Sequence, residues 1–140
     1  CALPIWFFDV DDLKAVNDVY GHAVGDSVIR SVVRAIREVI RAEDLIFRWG
    51  GDEFFVIMIG LDSEAADERM GRMEAMLTDV RLDGAPRLMT ISVSHAFADF
   101  TDLTDLERSI QQADAGMYRQ KQLKKSRVAA EVDRGVLVGF

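Results

Sequence analysis

Two short acidic segments hold the side chains of this chain best suited to chemistry. Asp9-Val10-Asp11 closes the apolar run Ile5-Trp6-Phe7-Phe8, and Gly50-Gly51-Asp52-Glu53 opens the run Phe54-Phe55-Val56-Ile57-Met58-Ile59. Residues i and i+2 of a strand point to the same side, so a strand ending here can present Asp9 and Asp11 to one site. The two glycines permit positive φ and leave no side chains, which lets backbone approach a bulky ligand. An acidic pair at a strand end is commonly just solvated, and Gly-Gly is common in ordinary turns. Two acids at a glycine tip, followed by unbroken apolar strand, fit neither bland reading. If the first strand lies beside that tip, Asp9 and Asp52 converge, and close carboxylates repel unless a divalent cation sits among them. Hard oxygen ligands with phosphates nearby suit Mg²⁺ or Mn²⁺.

The elements that must position these groups can be read from periodicity and turn chemistry. Ile5–Phe8 is expected as a buried strand and Asp11–Val19 as a short helix closed by Tyr20-Gly21-His22. Asp26 or Ser27 is expected to cap a long helix whose apolar face is Val28, Ile29, Val32, Val33, Ile36, Val39 and Ile40. Leu45–Arg48 and Phe54–Ile59 should pair as an antiparallel hairpin, because the link Trp49–Asp52 is so short. A helix near Ser63 carries Ala66, Met70, Met73, Leu77 and Val80 as core filling, and Leu88–Val93 reads as a fourth strand. Thr104-Asp105-Leu106-Glu107 is a capping box for a last long helix with Leu106, Ile110, Ala113 and Met117 facing inward. Lys121, Lys124, Lys125 and Arg127 are expected at or just past its end, as solvated cations complementing the helix dipole. Val136–Phe140 is expected as an edge strand. This order gives an α+β fold of the ferredoxin type, an antiparallel sheet with helices packed against it.

The stretch Arg48-Trp49-Gly50-Gly51-Asp52-Glu53-Phe54 closely resembles the signature of the GGDEF-domain diguanylate cyclases. Three further segments resemble that family's motifs at the expected spacing: Phe8-Asp9-Val10-Asp11-Asp12-Leu13-Lys14, then Asn17-Asp18 with Tyr20-Gly21-His22-Ala23-Val24-Gly25-Asp26, and Ala113-Asp114 with Met117-Tyr118 and Lys121. The likeness covers roughly residues 3–126, with 127–140 as a tail. It implies a nucleotidyl-cyclase-like fold and the condensation of two GTP into cyclic di-GMP with release of pyrophosphate, by two Mg²⁺ or Mn²⁺ ions per active site. It implies Asp9, Asp52 and the Val10 carbonyl as metal ligands, and Asp52, Glu53 and Lys14 as catalytic groups. Neighbouring strand residues face opposite sides, so Asp52 takes the primary role and Glu53 a secondary one. Asn17 and Asp26 match the guanine-reading positions, His22 a substrate contact, and Lys121 and Lys125 the phosphate contacts. Lys125 stands where the family often has Arg, losing a bidentate fork but keeping the charge. Ser94-His95 stands where the family usually has a glycine.

Arg41-Ala42-Glu43-Asp44 fits the family's Arg-x-x-Asp product-inhibition site, with Arg72, or Arg69, as a second arginine from a neighbouring domain. The resemblance further implies a homodimer, since each domain supplies one GTP, and an upstream regulatory domain.

Bulk properties agree with this reading. At 140 residues the chain is expected to be a single domain over 1–140, excised from a longer protein, since it does not begin with Met. No apolar run reaches the ~18 residues of a membrane helix, so no membrane contact by this domain is expected. A lone Cys1 excludes an internal disulfide and suits the cytoplasm. The net charge of −7 argues against nucleic-acid binding, which needs a basic stripe.

Overall fold

The first strand is apolar on both of its faces, so it needs cover on each, and this sets the layers of the molecule. In the computed structural model, which describes residues 3–60 and 62–133, β1 (Leu3–Val10) is followed by α1 (Leu13–Tyr20) and α2 (His22–Val39). The hairpin β2 (Leu45–Arg48) and β3 (Glu53–Ile57) comes next, then α3 (Ser63–Met76), β4 (Val93–Phe100) and α4 (Leu103–Asp133). The four strands form one antiparallel sheet in the order β2-β3-β1-β4, with β1 central between β3 and β4. That is the α+β, ferredoxin-like arrangement expected.

Trp6, Phe8 and Val10 are buried on one face of β1, against Val28, Val32 and Ile36 of α2 and Met70 and Met73 of α3. The Met stripe of α3 is therefore core, as its helical spacing indicates. The opposite face is covered by α4 over β4 and β1. Small residues allow this close approach: a Cβ added to Gly116 would lie 2.9 Å from the Cβ of Ala96. Phe7, Phe55 and Phe47 stack in a row along the rest of that face, with centroids 5.7 and 4.8 Å apart.

Several boundaries differ from expectation, each for a physical reason. α2 starts at His22, so neither Asp26 nor Ser27 caps it; Gly21, at φ 91°, is the residue that turns the chain out of α1 and into α2. Only a glycine takes that conformation without strain. The fourth strand is Val93–Phe100 rather than Leu88–Val93, and Met89 makes only an isolated bridge with Val80. α4 is opened by Asp102, whose Oδ1 accepts from the Asp105 amide at 3.0 Å, two residues before the expected cap. Ala113 and Met117 are buried as expected, but Ile110 is 38% exposed and Ser109 faces inward instead, donating to the Asp99 carbonyl at 2.6 Å. The basic cluster lies within α4, which continues to Asp133. The expected strand Val136–Phe140 lies outside the described residues.

Candidate active site between the hairpin tip and the last helix

The register of the sheet joins the two acidic segments. Asp9 pairs with Glu53 across β1 and β3, and the Val10 amide donates to the Asp52 carbonyl at 2.9 Å. Arg48 stiffens the tip by donating to the carbonyls of Gly50 at 3.2 Å and Gly51 at 2.7 Å. Neither Gly50 nor Gly51 has positive φ. Gly51 leaves open space, since a Cβ there would meet nothing within 4 Å, whereas a Cβ on Gly50 would touch the Glu53 side chain at 3.4 Å. An open groove of about 670 Å³ runs between this tip and α4, with Asp9, Glu53, Asp114, Tyr118 and Lys121 among its lining residues.

Asp9 is the electrostatic centre of the groove. Its Oδ2 pairs with Lys121 Nζ at 2.7 Å, and its Oδ1 is buried without a hydrogen-bond partner. Burial pushes the Asp9 carboxyl up to about 6; the Lys121 ammonium opposes that rise, and the Asp52 and Glu53 charges add to it. An orphaned buried carboxylate oxygen beside two more acids fits a hard divalent ion. Among the described residues no three acidic, His or Cys side chains are gathered into a finished cage. Asp9 therefore offers an incomplete site.

Asp11 behaves differently from Asp9, although both leave the same strand end. Its carboxylate accepts from Ser92 Oγ at 2.6 Å, Ser94 Oγ at 2.7 Å and Lys124 Nζ at 2.9 Å. Burial works against its charge, but these bonds from Ser92, Lys124 and Ser94 hold it below the ordinary carboxylate range. Lys124 thus faces inward, which corrects its reading as a solvated cation.

Of the positions expected to contact substrate, Asn17, His22 and Asp26 lie at the α1–α2 corner. Asn17, on α1, packs against Gly25 of α2 so closely that a Cβ there would lie 1.7 Å from Asn17 Oδ1. Asp26 follows Gly25 in the chain and is exposed, as are His22 and Lys14. Lys125 is exposed one residue beyond Lys124.

Arg41 and Asp44 form a separate locus. Asp44 is 7% exposed, and its carboxylate accepts from the amides of Arg41 at 2.8 Å and Ile59 at 3.0 Å. Arg69 Nη1 reaches Asp44 Oδ2 at 3.3 Å, whereas Arg72 is exposed on α3. Within the chain, therefore, Arg69 and not Arg72 is the arginine at Asp44. Gly25, Ser92 and Ser94 are residues to which the sequence reading gave no role, and Lys124 is one to which it gave only a solvent-facing role. The i, i+3 spacing of Lys121 and Lys124 was the available signal for the last.

The family described as diguanylate cyclase, GGDEF domain, matches residues 2–127. Diguanylate cyclase DosC of Escherichia coli is 32% identical over 127 residues, which are 90% of this chain and 28% of DosC. The chain thus spans well under half the length of that curated relative. The GGDEF domain of YfiN (TpbB) from Pseudomonas aeruginosa superposes with a TM-score of 0.74 at 32% identity, covering 87% of this chain and 77% of that one. The GGDEF domain of DgcB from Caulobacter crescentus, solved in complex with c-di-GMP, gives a TM-score of 0.77 at 27% identity, covering 86% and 72%. With the signature at the hairpin tip, the strand-end acids beside it and the family match over nearly the whole chain, this chain belongs to the GGDEF-domain diguanylate cyclase family.

Proposed function

We propose that this chain is the catalytic domain of a diguanylate cyclase, one module of a longer protein, and that it condenses two GTP into cyclic di-GMP and two pyrophosphates. The observation that carries the reading is the buried, unpartnered Asp9 Oδ1 beside an intact Gly50-Gly51-Asp52-Glu53 tip. Asp9, Asp52 and the Val10 carbonyl would hold the divalent ions, Mg²⁺ or Mn²⁺, two per site, whose chemistry is to favour the 3′-alkoxide and neutralise phosphoryl charge.

Each residue has a definable task. Asp52 takes the proton as the 3′-oxygen of one GTP bonds to the α-phosphorus of the other and the α–β phosphoanhydride breaks; Glu53 supports it. Lys14 and Lys121 offset charge on the transferring and leaving phosphates, with Lys125 adding a cation nearby. Asp26 accepts from guanine N1–H and N2–H₂, Asn17 donates to an acceptor edge, and His22 contacts the same nucleotide. An adenine edge is mismatched to Asp26, which selects GTP. Because each domain holds one GTP, the reaction needs two copies facing across a two-fold axis. Arg41 and Asp44, with Arg69 or Arg72, form the locus where cyclic di-GMP inhibits. A cytoplasmic setting suits a GTP-consuming domain. Among the described residues no helix is long and apolar enough to cross a membrane.

Pyrophosphate release from GTP and Mg²⁺ by a dimerised protein tests the reading, with Asp52→Ala for comparison. The wild type is expected to release pyrophosphate and the variant to lose at least ~100-fold in rate. Equal rates would remove Asp52 from the mechanism. Bound GTP without any release by the wild type would make the domain a nucleotide sensor instead.

A further inference from the structure

α4 meets the acidic strand end through two lysines one turn apart, and the two contacts are unlike. Lys121 Nζ pairs with Asp9 Oδ2, leaving Asp9 Oδ1 without a partner. Lys124 Nζ instead donates to Asp11 Oδ2 at 2.9 Å, to Ser92 Oγ at 3.2 Å and to the Val93 carbonyl. Those three acceptors use all three ammonium protons. Asp11 is equally engaged, by Ser92, Ser94 and Lys124 through its side chain and by the Ser92 carbonyl through its amide at 2.9 Å. One contact is saturated and fixed; the other is unsaturated and exchangeable.

We propose that Lys124 is a positioning residue for the metal pocket, tying α4 to Asp11 so that the strand end bearing Asp9 and Val10 keeps one orientation, while Lys121 is a place-holding cation that yields Asp9 to the incoming divalent ion. This rests on the reading of Asp9 as a metal ligand. Asp11 lies two residues beyond Asp9 and one beyond Val10, so holding its carboxylate restrains both candidate ligands. Removing a group hydrogen-bonded to a metal ligand weakens metal binding about 10- to 100-fold. Lys124 acts one step further out, through Asp11, so the lower end of that range applies. Removing a competing, partly exposed ion-pair partner works the other way and is worth about two- to fivefold.

The two lysines therefore have opposite signs in one experiment: Mn²⁺ binding to the full chain without nucleotide, followed by titration calorimetry and by the loss of the free-ion EPR signal. Lys124→Met is expected to weaken Mn²⁺ binding about tenfold, Lys124→Arg to recover part of it, and Lys121→Met to tighten it. Asp11→Asn combined with Lys124→Met should cost little more than either alone, because the pair acts as a unit. Ser92→Ala, at an exposed residue that bonds both partners, should weaken binding several-fold and carries the test if Lys124→Met does not fold. Wild-type Mn²⁺ affinity in folded Lys124→Met or in Ser92→Ala would overturn the positioning role, and weaker binding in Lys121→Met would overturn the place-holder. If Asp9→Asn binds Mn²⁺ as the wild type does, the metal reading of the site fails instead.

Discussion

Asn17 Oδ1 occupies the space that a β-carbon on residue 25 would need, 1.7 Å from where that carbon would sit. Gly25 is buried inside α2, where glycine costs about 1 kcal/mol relative to alanine. The helix forgoes that stability so that the amide of α1 can lie flat against it. Gly25→Ala should therefore keep or raise the melting temperature while displacing Asn17. GTP affinity is expected to fall about tenfold, the worth of a lost hydrogen-bonding group. Calorimetric titration with GTP, beside a thermal melt, separates the two effects, and unchanged GTP affinity would detach Asn17 from nucleotide recognition.

Gly116 fails an added methyl group for a different reason. Its new Cβ would meet the Cβ of Ala96 at 2.9 Å, and neither atom is the end of a flexible chain. α4 would have to lift from β4. Gly116→Val should lower stability by about 1–3 kcal/mol, the usual cost of overpacking, with Gly116→Ala smaller because helix propensity offsets part of it. Urea midpoints measure both, and a wild-type midpoint for the valine variant would contradict the close approach.

His95 supplies a pH dependence apart from the acidic site. It is half-buried, and its Nδ1 accepts from Trp6 Nε1 at 3.4 Å. Burial holds its pKa below the ordinary 6.5. The unfolded chain thus takes up the proton first as pH falls through 6.5, so this contribution is complete above that pH and drains away toward the lower folded value. Each unit of depression corresponds to about 1.4 kcal/mol. Melting temperatures between pH 8 and pH 5 should decline less steeply in His95→Gln than in the wild type; parallel curves would exclude His95 as the source.

At the Arg41 locus the neighbouring arginines should separate. Arg69→Ala removes the side-chain partner of buried Asp44 but leaves two backbone amides on it, so a loss of about 1–2 kcal/mol is expected. Arg72→Ala should leave the melting temperature unchanged. Arg41→Ala should raise the concentration of cyclic di-GMP needed for half-inhibition. Inhibition curves and melts on the three variants check this, and undiminished inhibition of Arg41→Ala would remove the site.

Much of this arrangement was legible in the sequence because its signals are local. The hairpin, the strand-end acids and the helical stripes each declare themselves within a few residues. β4 did not, because its residues facing α4 are the small Ala96 and Ala98 rather than a strong apolar alternation, while the apolar Leu88–Val93 drew attention away. The start of α2 was hidden by Asp26 and Ser27, good capping residues that lie inside the helix; Gly21 ends one helix and begins the next by its φ alone. Lys124 resembles any surface lysine until its partner is known, and that partner, Asp11, stands 113 residues away in sequence. The register that sets Asp9 opposite Glu53 likewise exists only once β1 and β3 have paired.

Because both lysines ride on one continuous helix of 31 residues, about 46 Å long, they cannot be moved singly by the backbone. A slip of α4 by one residue would turn it by about 100° and swing both ammonium groups off their aspartates together. The acidic strand end and the far end of α4 are thereby mechanically geared: whatever tilts or twists the distal turns is felt where Asp9 and Asp11 sit, with no intervening loop to absorb the motion.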